Sequence, residues 1–172
     1  MIIRICLLAF VLVIGLSPNK LSAQSQLERP EVQEKLHQFD FWLGEWEVYK
    51  NGTDTIVGYS RIESVMNGVG LQENYRSANS PYEGTSLNKY NFRTLEWEQF
   101  YIDNSGSTIK IHGGYSDGKM ILSNRVETAQ GVSLNRITWY DNADGSVRQH
   151  WQASQDEGET WSTLFDGIYK KS

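Results

Sequence analysis

Four short runs of this sequence carry chemically useful groups at alternate positions: Leu71/Glu73/Tyr75, Ser86/Asn88/Tyr90, Trp97/Gln99/Tyr101 and Val147/Gln149/Trp151. Alternate residues of a strand share one face, so each run would present a large ring beside a carboxylate, an amide or a hydroxyl. The opposite faces hold Lys89, Glu96 and Glu98, and Arg148 and His150, a solvent-facing selection. A dry core would be built of Val, Leu, Ile and Phe. Amides and hydroxyls recurring among aromatics need partners, which water or a ligand can supply. The plainer alternative is satisfied cross-strand pairs, or aromatics that fill a sandwich. A fifth run, Leu134/Arg136/Thr138/Tyr140, opposes Asn135/Ile137/Trp139, and alternation alone does not choose its inward face.

With the aromatic-polar faces inward, Glu73, Asn88, Tyr90, Gln99, Tyr101, Gln149 and Trp151 converge on one cavity. Arg136 joins them if the fifth run faces as Leu134, Thr138 and Tyr140 suggest. Glu73 is the expected polar end, with Arg136 its partner, because an inward carboxylate is costly unless paired. The tyrosines and Trp151 would supply flat apolar contact, with Gln99 and Gln149 fixing orientation. The competing expectation is that Glu73 and Arg136 merely brace neighbouring strands. The leading function is therefore binding of a small, partly apolar molecule. The alternatives are a small barrel enzyme (a hydrolase, isomerase or cyclase using Glu73 and Tyr101) and a structural or interaction protein.

Other chemistries leave no signature. No Walker sequence or His-Glu-x-x-His is present. His37, His112 and His150 are scattered and Cys6 is the single cysteine, which is no zinc set. Neither a metal nor a cofactor is expected. A formal charge of -5 without a basic cluster argues against a nucleic-acid partner.

The elements that must position these groups are short. Hydrophobic residues at 39% and charged residues at 22% over 172 residues describe one folded domain rather than a disordered chain. After Pro30, which suits a first helical position, the segment Pro30 to Gln38 can form a short helix, with Val32 and Leu36 at i,i+4 spacing. Nine turn signals follow, among them Asn51-Gly52, Asn67-Gly68, Asp117-Gly118 and Asp141 to Gly145. Asn-Gly and Asp-Gly accept the positive φ values of tight hairpins. Nine turns make ten strands, with cores near Glu45–Lys50, 56–65, 70–77, 85–91, 95–103, 108–114, 119–127, 132–140, 146–154 and 160–169. Such short connections force sequential antiparallel pairing, and closing the sheet removes two exposed edges. The expected fold is all-β: a ten-stranded up-and-down barrel with a short N-terminal helix over one end. A two-sheet sandwich is the alternative.

Several motifs fit that frame. Asn51-Gly52-Thr53 is a glycosylation sequon that reads better as the first hairpin turn. Asp141-Asn142-Ala143-Asp144-Gly145 resembles the start of a calcium loop, but no bidentate Glu follows in a helix, so a hairpin turn is the better reading. Ser154-Gln155-Asp156-Glu157-Gly158-Glu159-Thr160-Trp161 matches the Asp box of sialidases. It occurs once here and signals a turn rather than a glycosidase.

The segment Phe39-Asp40-Phe41-Trp42-Leu43-Gly44-Glu45-Trp46 resembles the Gly-x-Trp that opens lipocalin-type barrels, where the Trp closes the floor. Together with Gly84-x-Ser86-x-Asn88-x-Tyr90, Trp97-x-Gln99, Arg136-x-Thr138-Trp139 and Phe165-Asp166-Gly167-x-Tyr169, it resembles a family of small, mostly uncharacterised secreted bacterial barrels allied to lipocalin and nitrobindin-like calycins. The resemblance implies the calycin fold. A nitrobindin-like barrel also implies haem on a proximal His near the C-terminal strands. Here Asp166 to Lys171 holds no His, and His150 sits on the face opposite Trp151, as a solvated strand histidine would.

Met1 to Ala23 reads as a signal peptide. Arg4 precedes the apolar run Ile5 to Leu16, whose 12 residues fall short of the ~20 that span a bilayer, and Leu21-Ser22-Ala23 offers a cleavage site. Cleavage leaves 24–172 as a single barrel domain, secreted or periplasmic, with no membrane span. Loss of Arg4 and Lys20 takes the charge from -5 to -7, and loss of Cys6 leaves no cysteine. Stability must then come from packing alone.

Overall fold

The computed structural model describes residues 27–129 and 131–172; the proposed signal segment lies outside them. Ten antiparallel strands run β1 (Gly44–Lys50), β2 (Ile56–Val65), β3 (Gly70–Ser77), β4 (Glu83–Asn91), β5 (Glu96–Asp103), β6 (Thr108–Ser116), β7 (Lys119–Thr128), β8 (Gly131–Asp141), β9 (Val147–Ser154) and β10 (Ser162–Lys171). Each pairs with its sequence neighbours, and β1 pairs with β10 as well as β2, so the sheet is a closed up-and-down barrel. Trp46, for example, lies between Ser60 on β2 and Lys171 on β10. No sandwich forms, because no strand leaves the cycle.

The turn signals carry the predicted chemistry. Asp117 and Gly118 both take positive φ (52° and 72°), as do Asn67 and Gly68 (57° and 87°), which suits Asn, Asp and Gly. Asp144 accepts from the Ser146 amide and hydroxyl in the β8–β9 hairpin, so the calcium-like sequence is indeed a turn. The Asp box also folds as one. Asp156 accepts from the Thr160 amide at 2.9 Å and from its hydroxyl, while Ser154 Oγ accepts from the Gly158 amide. These bonds hold the Asp156 carboxyl down at about 2. They also delay β10, which starts at Ser162 rather than Thr160.

One end of the barrel is plugged by aromatics. Helix α1 (Pro30–Leu36) is shorter than the expected Pro30 to Gln38; His37 caps it, and Asp40–Trp42 forms a single 3-10 turn. The His37 ring bonds Asp40 and Gln33, so the chain leaves the helix early. This exit drives Phe39 into the floor. Its ring stacks on Trp42 (5.0 Å) and meets Trp97 and Trp139 edge-on (5.7 and 5.2 Å). Trp46 donates to the Trp42 carbonyl, and Trp97 to the Gln38 side chain. The indole N–H groups of Trp42 and Trp139 are buried without an acceptor. Each costs about 1–3 kcal/mol, which the burial of four large rings must outweigh.

Gly44, at φ +133°, lets the chain turn from this plug into β1. Lys171 then reaches back to the Leu43 carbonyl and lies 3.8 Å from the Trp46 ring centre. The outer wall carries ion pairs such as Lys89–Glu98 and Arg148–Asp166, unlike the apolar band of a membrane barrel. No helix among the described residues is long and apolar enough to cross a membrane.

Phe39 touches the rings of Trp42, Trp97 and Trp139, so Phe39→Ala should remove about 3–5 kcal/mol of unfolding free energy. Guanidinium-chloride unfolding followed by Trp fluorescence measures this. A loss below ~1 kcal/mol would mean that the barrel does not depend on its plug.

Candidate functional site

Above the plug, the open half of the barrel encloses a cavity of about 320 Å3, at the lower end of the ~300–1,000 Å3 usual for small-molecule sites. Its wall is Tyr75, Tyr82, Tyr101, Trp151, Phe165 and the aliphatic Ile109 and Ile137, and its inner end is Glu73, Gln99, Gln149 and Tyr169. A larger depression of about 680 Å3 lies on the outer wall beside Met66, Leu87, Phe100, Lys110 and His112. It is floored largely by the outward faces of β4 to β6; Asn88 and Gln99 border it too, but their side chains are spent on the Gln99–Asn88–Ser86 bonds that run to the lumen, and its charged residues are solvent-facing. The lumen is therefore the candidate site.

Glu73 stands at the middle of β3 with its side chain inward and only 4% exposed. The β-ladder sets its partners. Ser86 lies directly across on β4 and Ser60 diagonally on β2, and their hydroxyls donate to the two carboxyl oxygens at 3.2 and 3.0 Å. Tyr169, from β10 across the lumen, lies 3.5 Å from Oε1 and donates to Gln149 Oε1 at 2.5 Å. Behind Ser86 the bonds form a chain. Gln99 Nε2 donates to Asn88 Oδ1 (2.8 Å), and Asn88 Nδ2 donates to Ser86 Oγ (3.0 Å), leaving the Ser86 proton directed at Glu73.

Burial pushes the Glu73 carboxyl up to about 7, against the hydrogen bonds from Ser60, Ser86 and Tyr169, which favour the ionised form. The facing phenols respond in kind. Burial and the Glu73 charge raise Tyr75 to about 12 and push Tyr169 well above the usual phenol range. At the mouth, Tyr101 donates to Tyr82 (2.8 Å) and Tyr82 to Asp103 (3.2 Å). Asp103 is held below its ordinary value chiefly by the Ser105 hydroxyl.

The cavity stays open because glycines lie beneath two of its rings. A Cβ at Gly58 would strike the Tyr75 hydroxyl, and one at Gly84 the Tyr101 hydroxyl. Both phenols thus lie flat against the wall instead of across the lumen. Tyr75 is pinned there by a bond to the Val57 carbonyl at 3.2 Å.

Of the residues expected to converge, Glu73, Gln99, Tyr101, Gln149 and Trp151 line this cavity. Asn88 supports it from behind through Gln99 and Ser86. Tyr90 does not reach it: its ring packs on Phe92 and Trp97 at the plugged end. Arg136 is a correction. Strand β8 buries Ile137 and Trp139, so Arg136 points outward, donating to Gln152 and lying 4.2 Å over the Trp161 ring of the Asp box. Glu73 therefore has no guanidinium partner, and Arg136 braces the outer wall instead. Tyr75, expected on the inward face beside Glu73, lines the cavity too; Ser60, Tyr82, Phe165 and Tyr169 are site residues that the sequence reading did not assemble, although Phe165 and Tyr169 stand at alternating positions that could have flagged them.

The histidines do not offer an axial ligand. His150 bonds Thr163 on the outer wall at 3.0 Å, His112 bonds Glu96 and His37 bonds Asp40, so the residues present do not fit haem in the lumen. Among the described residues, no three His, Cys, Asp or Glu groups are placed to hold a metal.

The raised Glu73 pKa has a consequence for stability. The native state holds its proton up to about 7, whereas the ordinary value is 4.5. The stabilisation is thus full below 4.5 and is lost as pH rises through 7, an effect of ~3 kcal/mol. Glu73→Gln keeps the shape and removes the titration. Urea unfolding at pH 5 and pH 8 should show wild type losing ~3 kcal/mol relative to the variant. Parallel pH profiles would mean that Glu73 is already ionised in its network at pH 5.

No model of a known protein family matches this chain, and no curated protein matches it.

Proposed function

We propose that this protein is an exported β-barrel that binds a small, partly apolar molecule in its lumen. The observation that carries the reading is the cavity itself, in which five aromatic side chains surround an inner end where a carboxyl, two amides and a phenol meet. Apolar walls with a few convergent polar groups are the usual composition of a ligand site. Export rests on the N-terminal sequence, Arg4 followed by Ile5 to Leu16 and Ala23, and kinship with lipocalin and nitrobindin-like calycins rests on the Phe39 to Trp46 segment and the motifs that follow it.

A second reading is favoured by one observation. A carboxyl raised to about 7 beside a cavity is poised for proton transfer near neutrality. A barrel enzyme of the hydrolase, isomerase or cyclase type would use Glu73 as its acid or base. Tyr101, whose proton is committed to Tyr82, would then position substrate.

Native mass spectrometry of protein recovered from its own host should detect a retained small molecule on a chain that begins at or near Gln24. Trp151→Ala removes a wall ring without touching the Glu73 network, and should lower retention about tenfold or more. Undiminished retention in Trp151→Ala would place the molecule outside the lumen. Release of a chemically altered molecule after incubation would favour the enzyme.

A further inference from the structure

Among the described residues that line the cavity there is no Lys, Arg or His, while a carboxyl occupies its inner end. Glu73 has been stripped of water without being given a cation. Its partners are neutral hydroxyls, and the Gln99–Asn88–Ser86 chain is oriented so that a proton donor points at it. This is the arrangement that stabilises a carboxylate, built where no protein charge neutralises one. The groups that face it from the packed elements are Tyr75 on β3, Tyr101 on β5 and Tyr169 on β10, with Tyr82 beyond them in the β3–β4 loop. At the mouth, Tyr82 donates to a second carboxylate, Asp103. The space between the two carboxylates is walled by electron-rich ring faces, which attract cations within ~6 Å of their centres.

We infer that the ligand carries a cationic nitrogen, a protonated amine on a small apolar body, with the nitrogen seated against Glu73 and the body among the rings of Tyr75, Tyr101, Trp151 and Phe165. The inference rests on the lumen-binding reading and names the class of ligand for it. A carboxylate-bearing ligand meets two like charges and no cation. A neutral alcohol of the same shape satisfies the rings but leaves Glu73 unneutralised. The amine supplies the missing charge and holds the carboxyl ionised, so binding below pH 7 must displace the Glu73 proton into solvent.

Three probes of one shape separate these possibilities: 2-phenylethylamine, 2-phenylethanol and phenylacetate, titrated calorimetrically into the intact protein. The amine should bind about tenfold or more tightly than the alcohol at pH 8, and phenylacetate more weakly than either. At pH 6, titrations in buffers of different ionisation enthalpy should show close to one proton released per amine bound and none per alcohol. Release should vanish at pH 8.5. Glu73→Gln should bring the amine down to the affinity of the alcohol. If that variant does not fold, proton release in the wild type still decides. Alcohol binding as tight as amine binding, or amine binding at pH 6 without proton release, would overturn the inference and leave lumen binding standing. Failure of all three probes to bind would overturn both.

Discussion

Closing ten antiparallel strands on themselves removes both sheet edges but encloses more space than their inward side chains can fill, since eight strands already suffice to accommodate a packed interior. The surplus has to be taken up or left open, and this chain does one at each end. At the plugged end, α1 stops early at His37 so that Phe39 and Trp42 enter the barrel and meet Trp97 and Trp139. At the other end no described segment of the chain enters. The hydrophobic burial that stabilises the fold is thus concentrated at one end, which leaves the opposite end free to carry groups that do not favour folding.

Glu73 is the principal such group. It costs free energy to bury, yet β2, β4 and β10 each contribute a hydroxyl to it. A structural brace would be built differently. The outer wall shows what this protein does when it needs one: Arg148 meets Asp166 with two bonds of 2.8 Å, and Asn51 adds a third to the same carboxylate. Bidentate pairing of that kind is strong and geometrically specific. Its absence around Glu73 distinguishes a group held ready from a group used up.

Much of this was legible in the sequence because hairpin turns are local. Asn67-Gly68, Asp117-Gly118 and the Asp box each fix the chain within a few residues, so strand boundaries fell within about two residues of their observed places. Inward faces were legible wherever one face was clearly charged, as with Lys89, Glu96 and Glu98 opposite Asn88, Trp97 and Gln99. Strand β8 offered no such contrast. Its two faces are both amphipathic, and what settles them is distant: Trp139 is drawn in by Phe39, and Arg136 is drawn out by Trp161. Tyr90 was placed on the correct face but at the wrong height, because alternation reports the side of a strand and not the position along the barrel axis. Tyr169 reaches Glu73 only because the barrel closes through β1 and β10, whereas Ser60 lies one hairpin away on β2.

Gly58 and Gly84 set the inner dimensions of the site without taking any part in its chemistry. Each is a recess in the wall into which a neighbouring phenol folds, so the usable width of the lumen is decided by residues that no bound molecule would touch. A change from hydrogen to methyl at either position would narrow the chamber from behind, leaving every lining side chain in place by identity. Selectivity for size is in this sense written in the wall, while selectivity for charge is written in Glu73, and the two can be altered independently.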